Sequence, residues 1–256
     1  MLPIVFKRLF GGFGWLMLGL CGPALADATL EYSGRADSQA YRVLVKGDKV
    51  RLEQDARGAM YSIFRAEQQR MLNVNRKRRQ YIAIDAVSTQ AMAERMQTMR
   101  SQMLDKLPPQ QRAQMAEQLQ AGQSAPQMAT RPTEQRQQIN GIACRVYEVL
   151  RDGQVVGQLC LAQADDLAGL SPAEYDSLMA LNAFNRRMAK MAQPQTDFGM
   201  QGLEMAGIPV RVVGPDGKPV MELKRVSRQE LSADLFTVPQ GYRQFDPLQA
   251  GPSGRQ

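Results

Sequence analysis

Between Asp27 and Asp85 apolar and polar residues alternate in short runs broken by turn residues, the pattern of antiparallel strands. The runs are TLEYSG, AYRVLVKG, KVRLEQ, MYSIFRA, RMLNV and QYIAID. In the second, Tyr41, Val43 and Val45 fall on one side, and Arg42, Leu44 and Lys46 on the other. Gly47-Asp48 turns it into the third. Glu67-Gln68-Gln69 and the basic group Arg76-Lys77-Arg78-Arg79 separate the last three. Nothing helical intervenes, so these residues predict a meander rather than βαβ units.

After Asp85 the period changes from two to 3.6. At 100° per residue Met92, Met96, Met99, Met103 and Leu107 fall within an arc of about 80°. Glu94, Arg95, Gln97, Ser101, Gln102 and Asp105 fill the rest of the circumference. Pro108-Pro109 ends this helix and opens a second, QQRAQMAEQLQAG, with a thinner stripe of Met115 and Leu119 and Gly122 to close it. The two form a helical insertion over 86–122. Residues 123–135, rich in Gln, Pro, Ser and Thr, read as a flexible connection, and the strand pattern resumes at QQINGIACRVYEVL. Ser171-Pro172-Ala173-Glu174 is a capping box with proline at the first helical position. Leu181, Phe184, Met188 and Met191 then share one face of a third helix. Further strands follow on either side of Gly214-Pro215-Asp216-Gly217, and residues 244–256 read as a disordered tail. Residues 27–243 are thus expected to form a single α+β domain.

The N-terminus places that domain in a compartment. Residues 1–26 carry Lys7 and Arg8, an uncharged apolar run and Ala24-Leu25-Ala26, the form of a cleavable secretory signal peptide cut after Ala26. The run is interrupted by glycines and falls short of the roughly 20 apolar residues of a span. Cys21 would suit lipid attachment, but bulky Leu20 precedes it. Cleavage removes 26 of 256 residues and, with Lys7 and Arg8, lowers the formal net charge from +7 to +5. A periplasmic location is expected. A mild basic excess there is compatible with anionic headgroups or an acidic partner, and nucleic acid is not expected.

Two cysteines then remain. CRVYEVL, RDG and QVVGQLC read as a hairpin whose three-residue loop ends in Gly153. With Leu150 opposite Gln154, counting outward sets Cys144 against Cys160. A disulfide is expected between them, contributing about 3 kcal/mol. No C-x-x-C spacing supports redox chemistry instead.

The chain contains no histidine, which removes the commonest catalytic triads, histidine-bearing zinc sites and the usual neutral-pH base. Asp165-Asp166 is the one obvious carboxylate pair, and adjacent acids of this kind more often start a helix. No P-loop, G-x-S-x-G or G-x-G-x-x-G sequence occurs. No catalytic residue, metal or cofactor is therefore expected. The methionine stripe admits three readings: irregular core packing, an adaptable surface against acyl chains, or soft-metal binding by thioethers. The basic group 76–79 is either a solvated hairpin tip or a grip on phosphates or an acidic partner.

The runs YRVLVKGDKVRLE, NVNRKRRQYIAID and NGIACRVYEV, with the ending Leu235-Phe236-Thr237-Val238-Pro239-Gln240-Gly241-Tyr242, resemble periplasmic proteins of the LolA-like class. That class holds the outer-membrane lipoprotein carrier, its receptor, mycobacterial lipid-carrying lipoproteins and regulators of envelope stress. This chain is most similar to its domain-of-unknown-function members. The resemblance implies a strongly bent antiparallel sheet, an unclosed β-barrel, with helices over an apolar concave face. It implies a lipid or lipoprotein acyl chain as cargo, taken by Met92, Met96, Met99, Met103, Leu181, Phe184 and Met188 without enzymatic chemistry. Arg76, Lys77, Arg78 and Arg79 would contact a headgroup or a partner. The other expectation is an envelope protein-interaction or stress-sensing domain with no small-molecule cargo. No arginine here aligns with the carrier's buried lid-holding arginine, and the Gln-rich segment 105–138 is longer than a simple lid requires.

Overall fold

The computed structural model describes residues 26–34, 41–54, 58–121, 127–191 and 203–246. The signal-peptide reading of residues 1–26 falls, but for Ala26, outside these, as does the tail reading of 244–256 from residue 247 onward; Gln244 instead ends a short strand and Phe245 N–H donates to the Tyr81 carbonyl at 2.8 Å.

The fold is mixed α+β, with three helices among the described residues and one unclosed sheet of twelve strands. Strands β1 (Asp27–Gly34), β2 (Tyr41–Lys46), β3 (Lys49–Glu53), β4 (Met60–Arg65), β5 (Arg70–Asn75) and β6 (Gln80–Ile84) pair with their neighbours in chain order. They fall on the six alternating runs. Helices α1 (Ala86–Asp105) and α2 (Pro109–Ala121) follow, and then a second meander begins with β7 (Met128–Ile139), β8 (Ile142–Arg151) and β9 (Gln154–Ala162). Helix α3 (Pro172–Met191) separates β9 from β10 (Ile208–Val213) and β11 (Pro219–Gln229). The meanders are joined by antiparallel pairing of β1 with β11, and β12 (Arg243–Gln244) adds in parallel to β6 at the far edge.

Two sequence expectations change. The flexible segment 123–135 gives way to strand from Met128 onward, and QQINGIACRVYEVL is two strands rather than one. Asn140 and Gly141 take φ of 51° and 83°, the two left-handed residues of a tight hairpin turn, with Ile139 opposite Ile142. Strand β7 read as loop because it is an edge strand in water, where only Ile139 is buried. Arg131, Pro132 and a register shift before Arg136 suit such an edge, since they discourage pairing with another chain.

The β8–β9 turn is likewise tighter than counted. Asp152 and Gly153, at φ 50° and 81°, form a two-residue turn with Arg151 opposite Gln154. A bulge between Val149 and Leu150 then brings Val146, not Cys144, opposite Cys160. Cys144 and Cys160 are disulfide-bonded all the same, as diagonal neighbours with Cα atoms 5.4 Å apart.

Both faces of the sheet are covered where it is apolar. On one, Leu30, Val43, Val45, Val50, Phe64, Leu159, Leu161 and Val210 pack with Leu178, Leu181 and Phe184 of α3. On the other, Leu44, Tyr61, Ile63, Leu72 and Val74 pack with Leu231 and Phe236 of the C-terminal segment.

Candidate functional site

Helix α3 is fixed at its start by chemistry legible in the sequence. The Ser171 backbone N–H donates to Glu174 Oε2 at 2.8 Å, and Glu174 N–H donates back to Ser171 Oγ at 3.3 Å. Arg228 of β11 pairs with the same buried carboxylate at 2.6 Å, and Ser177 donates to the Gly47 carbonyl at 2.8 Å. These bonds lay Leu178, Leu181 and Phe184 onto the sheet. Phe184 is 1% exposed, its ring 5.2 Å from that of Phe64. Of the expected cavity-facing residues, Leu181 and Phe184 are therefore buried here, while Met188 is half-buried at the margin.

The thioethers of α1 sit differently. Asp85 caps this helix reciprocally with Ser88, and the Ser88 N–H bond holds the Asp85 carboxyl below its ordinary range despite some desolvation. Met92 is half-buried, but Met96, Met99 and Met103 are 57%, 53% and 68% exposed, and no residue of α1 is buried. The stripe faces solvent rather than the sheet. The far end of α1 is held by α2: Arg112 donates to the carbonyls of Leu104, Asp105 and Leu107 at 3.1–3.3 Å, satisfying the orphan acceptors of the helix end. The two expected groups meet where Thr89 Oγ1 donates to Met188 Sδ at 3.1 Å.

The basic run forms the exposed β5–β6 hairpin tip, and the fold divides it. The Arg76 guanidinium lies 5.3 Å from the centroid of the Tyr61 ring. The Arg79 carbonyl accepts from Arg243 N–H at 3.0 Å, docking β12. Arg78 lines a pocket of about 260 Å³ on the α3 face, beyond the reach of that helix. Its floor comprises two rungs of the sheet, Ser62–Asn73–Ile82 and Met60–Asn75–Gln80, next to the apolar rung Phe64–Met71–Ile84. Gln54, Tyr61, Val74, Tyr81 and Phe245 also line it.

Sequence reasoning missed these floor residues. The available signal was Asn73 and Asn75 at period two within RMLNVN, since asparagine is depleted in strands and here takes the face shared with Met71. It also missed Arg51, 2% exposed on β3. The Arg51 guanidinium pairs with Glu53 at 2.8 Å, donates to the Leu235 carbonyl at 2.7 Å and lies 3.6 Å from the Tyr61 ring centroid. This side chain holds the C-terminal segment, on the face opposite α3. The signal was Arg-x-Glu in KVRLE, which sets opposite charges on one side of a strand.

Asp165 and Asp166 open a 3₁₀ turn, where Asp166 accepts from Gln163 N–H at 3.0 Å. Among the described residues no group of three or more His, Cys, Asp or Glu gathers as a metal site, and no helix is long and apolar enough to cross a membrane.

Residues 112–242 match a family model described as a domain of unknown function, DUF4412. The match covers the second meander, α3 and the C-terminal segment, and leaves out α1 and β1–β6. No curated protein matches the chain.

Proposed function

We propose, for a chain that belongs to the DUF4412 family, that it is a non-enzymatic periplasmic binding or carrier protein for an acyl chain or similar apolar ligand. The observation that carries this reading is the exposed thioether stripe of α1. A helix without a buried residue that keeps Met96, Met99 and Met103 in water leaves apolar surface to be covered by something else. Thioether side chains are unbranched and polarizable, so they adapt to a ligand without fixed shape. The neighbouring sheet face is already filled by Leu181 and Phe184; in this reading α1 is the entry surface and α3 the element a cargo would displace. The unclosed sheet with a helix across one face agrees with the LolA-like resemblance, an argument from fold analogy. Acyl burial at about 0.8 kcal/mol per methylene would supply the affinity.

Lipid extraction and mass spectrometry of protein purified gently from the cell envelope test this reading. A bound acyl species supports it. Protein that is repeatedly empty and fails to take up a fluorescent fatty acid overturns it. A second reading, an envelope protein-interaction domain, is favoured by the exposed tip Arg76–Arg79. It predicts that crosslinking in intact cells captures one dominant protein rather than lipid.

A further inference from the structure

The pocket over β4, β5 and β6 has a one-sided hydrogen-bonding character. Ser62 Oγ donates to Asn73 Oδ1 at 2.7 Å, and the Arg78 backbone N–H donates to Asn75 Oδ1 at 3.0 Å. Both asparagines thus spend their carbonyl oxygens inside the protein and keep their Nδ2 donors. The Arg78 guanidinium adds further donors and a full charge, and no ion pair engages it among the described residues. None of the lining residues is acidic. A site rich in donors and without a carboxylate is complementary to an oxyanion.

Size and walls narrow the class. At about 260 Å³ the pocket holds the volume of roughly eight or nine waters, more than a bare phosphate needs. Ile82, Met60 and Phe245 offer apolar wall to C–H surface, while the Gln80 amide can both donate and accept. We propose that this pocket binds a phosphorylated polyol, with the phosphate on Arg78, Asn73 and Asn75 and the polyol against Ile82 and Phe245. The shared chemistry belongs to a glycerophospholipid headgroup and to a free sugar or glycerol phosphate. The inference stands on the pocket and does not need the acyl reading of α1.

The test titrates the full mature chain by calorimetry with glycerol 3-phosphate and with glycerol, and in parallel with vesicles of phosphatidylglycerol or phosphatidylcholine. Arg78→Gln, Asn75→Asp and the neighbouring Lys77→Gln are compared, each with its thermal midpoint measured. Saturable glycerol 3-phosphate binding is expected, absent for glycerol. It should weaken at least about tenfold in Arg78→Gln and Asn75→Asp and change less than about twofold in Lys77→Gln. The same pattern on phosphatidylglycerol vesicles as well, or on vesicles alone, assigns the headgroup; binding of the soluble phosphate alone assigns a free metabolite. Absence of binding in both arms overturns the proposal. So does equal weakening by Lys77→Gln, which would reduce the effect to the general charge of the hairpin. Substituting Met96, Met99 and Met103 should leave glycerol 3-phosphate binding unchanged, which separates this site from the acyl surface.

Discussion

Replacing Met96, Met99 and Met103 together with glutamine separates the acyl-binding reading from a purely structural one. Glutamine keeps the length and helix propensity of methionine and removes its apolar end. Full burial of a methionine side chain is worth about 2 kcal/mol. With 57%, 53% and 68% of these residues still in water, a ligand covering all three would gain about 1 kcal/mol from each. The triple variant should therefore weaken an acyl probe by about 3 kcal/mol, or roughly two orders of magnitude in Kd. Folding should hardly change, because exposed positions away from caps and core move stability by less than about 0.5 kcal/mol each. Fluorescence titration with a labelled fatty acid gives the first quantity and urea denaturation the second. Unchanged probe affinity would remove α1 from any binding surface. A stability loss of several kcal/mol would put the stripe in a core, contrary to its exposure.

Three further outcomes follow from the buried contacts. Arg51→Met strips the Leu235 carbonyl and Glu53 of a partner; it should cost about 3 kcal/mol and open residues 231–242 to limited proteolysis before the rest of the sheet. Cys144→Ser with Cys160→Ser should lower stability by about 3 kcal/mol for a loop of 16 residues, and reductant should then have no further effect in denaturation. Burial alone would raise the Glu222 pKa, but hydrogen bonds from Lys224, Asn140 and Arg211 outweigh it and hold the carboxyl down at about 2, against 4.5 when free. A depressed carboxyl stabilises the fold above its unfolded pKa, so this contribution is complete above about pH 4.5 and disappears as pH falls toward 2. Urea midpoints should show wild type ahead of Glu222→Gln by on the order of 1 kcal/mol at pH 7, with the gap closing across that acid range.

The first meander was legible because turn residues punctuate it between short runs whose apolar positions pack into one core or the other, from β1 to β6. Helix α3 was legible for the same reason, its capping box and apolar face both answering to the sheet. Strand β7 was not, because an edge strand in water carries no apolar alternation, and composition then suggests loop. The sharper clue was Asn140-Gly141, a dipeptide suited to two left-handed residues, lying inside what read as one run. The disulfide was legible as a pair and not as a register. Asp152-Gly153 closes a shorter turn than counted, and the bulge at Val149 shifts the pairing again. Period alone could not orient α1: its methionines fall on one arc, but the apolar face is weaker than that of α3, and periodicity does not say whether a partner lies beneath it.

The α3 face of β4–β6 changes character along its length, and this bears on how the two proposals relate. The rung Phe64–Met71–Ile84 is apolar and belongs to the core that Phe184 completes. One rung further, Ser62 Oγ donates to Asn73 Oδ1 and leaves the Asn73 Nδ2 donors unused, and at the third Asn75 and Gln80 stand beside Arg78. A sheet built only to support α3 would gain nothing from asparagines at Asn73 and Asn75, where β-branched residues pack better. Their placement follows if this end of the face serves a polar group while the covered end serves apolar contact. An amphiphile with a phosphorylated head would match that sequence of surfaces, its head on the third rung and its chain toward Met188 and α1. If glycerol phosphate and acyl probes bind independently, each unaffected by the other and by the other's variants, the two ends are separate sites. If the phosphate site and the methionine stripe both weaken a single phospholipid, one ligand spans them.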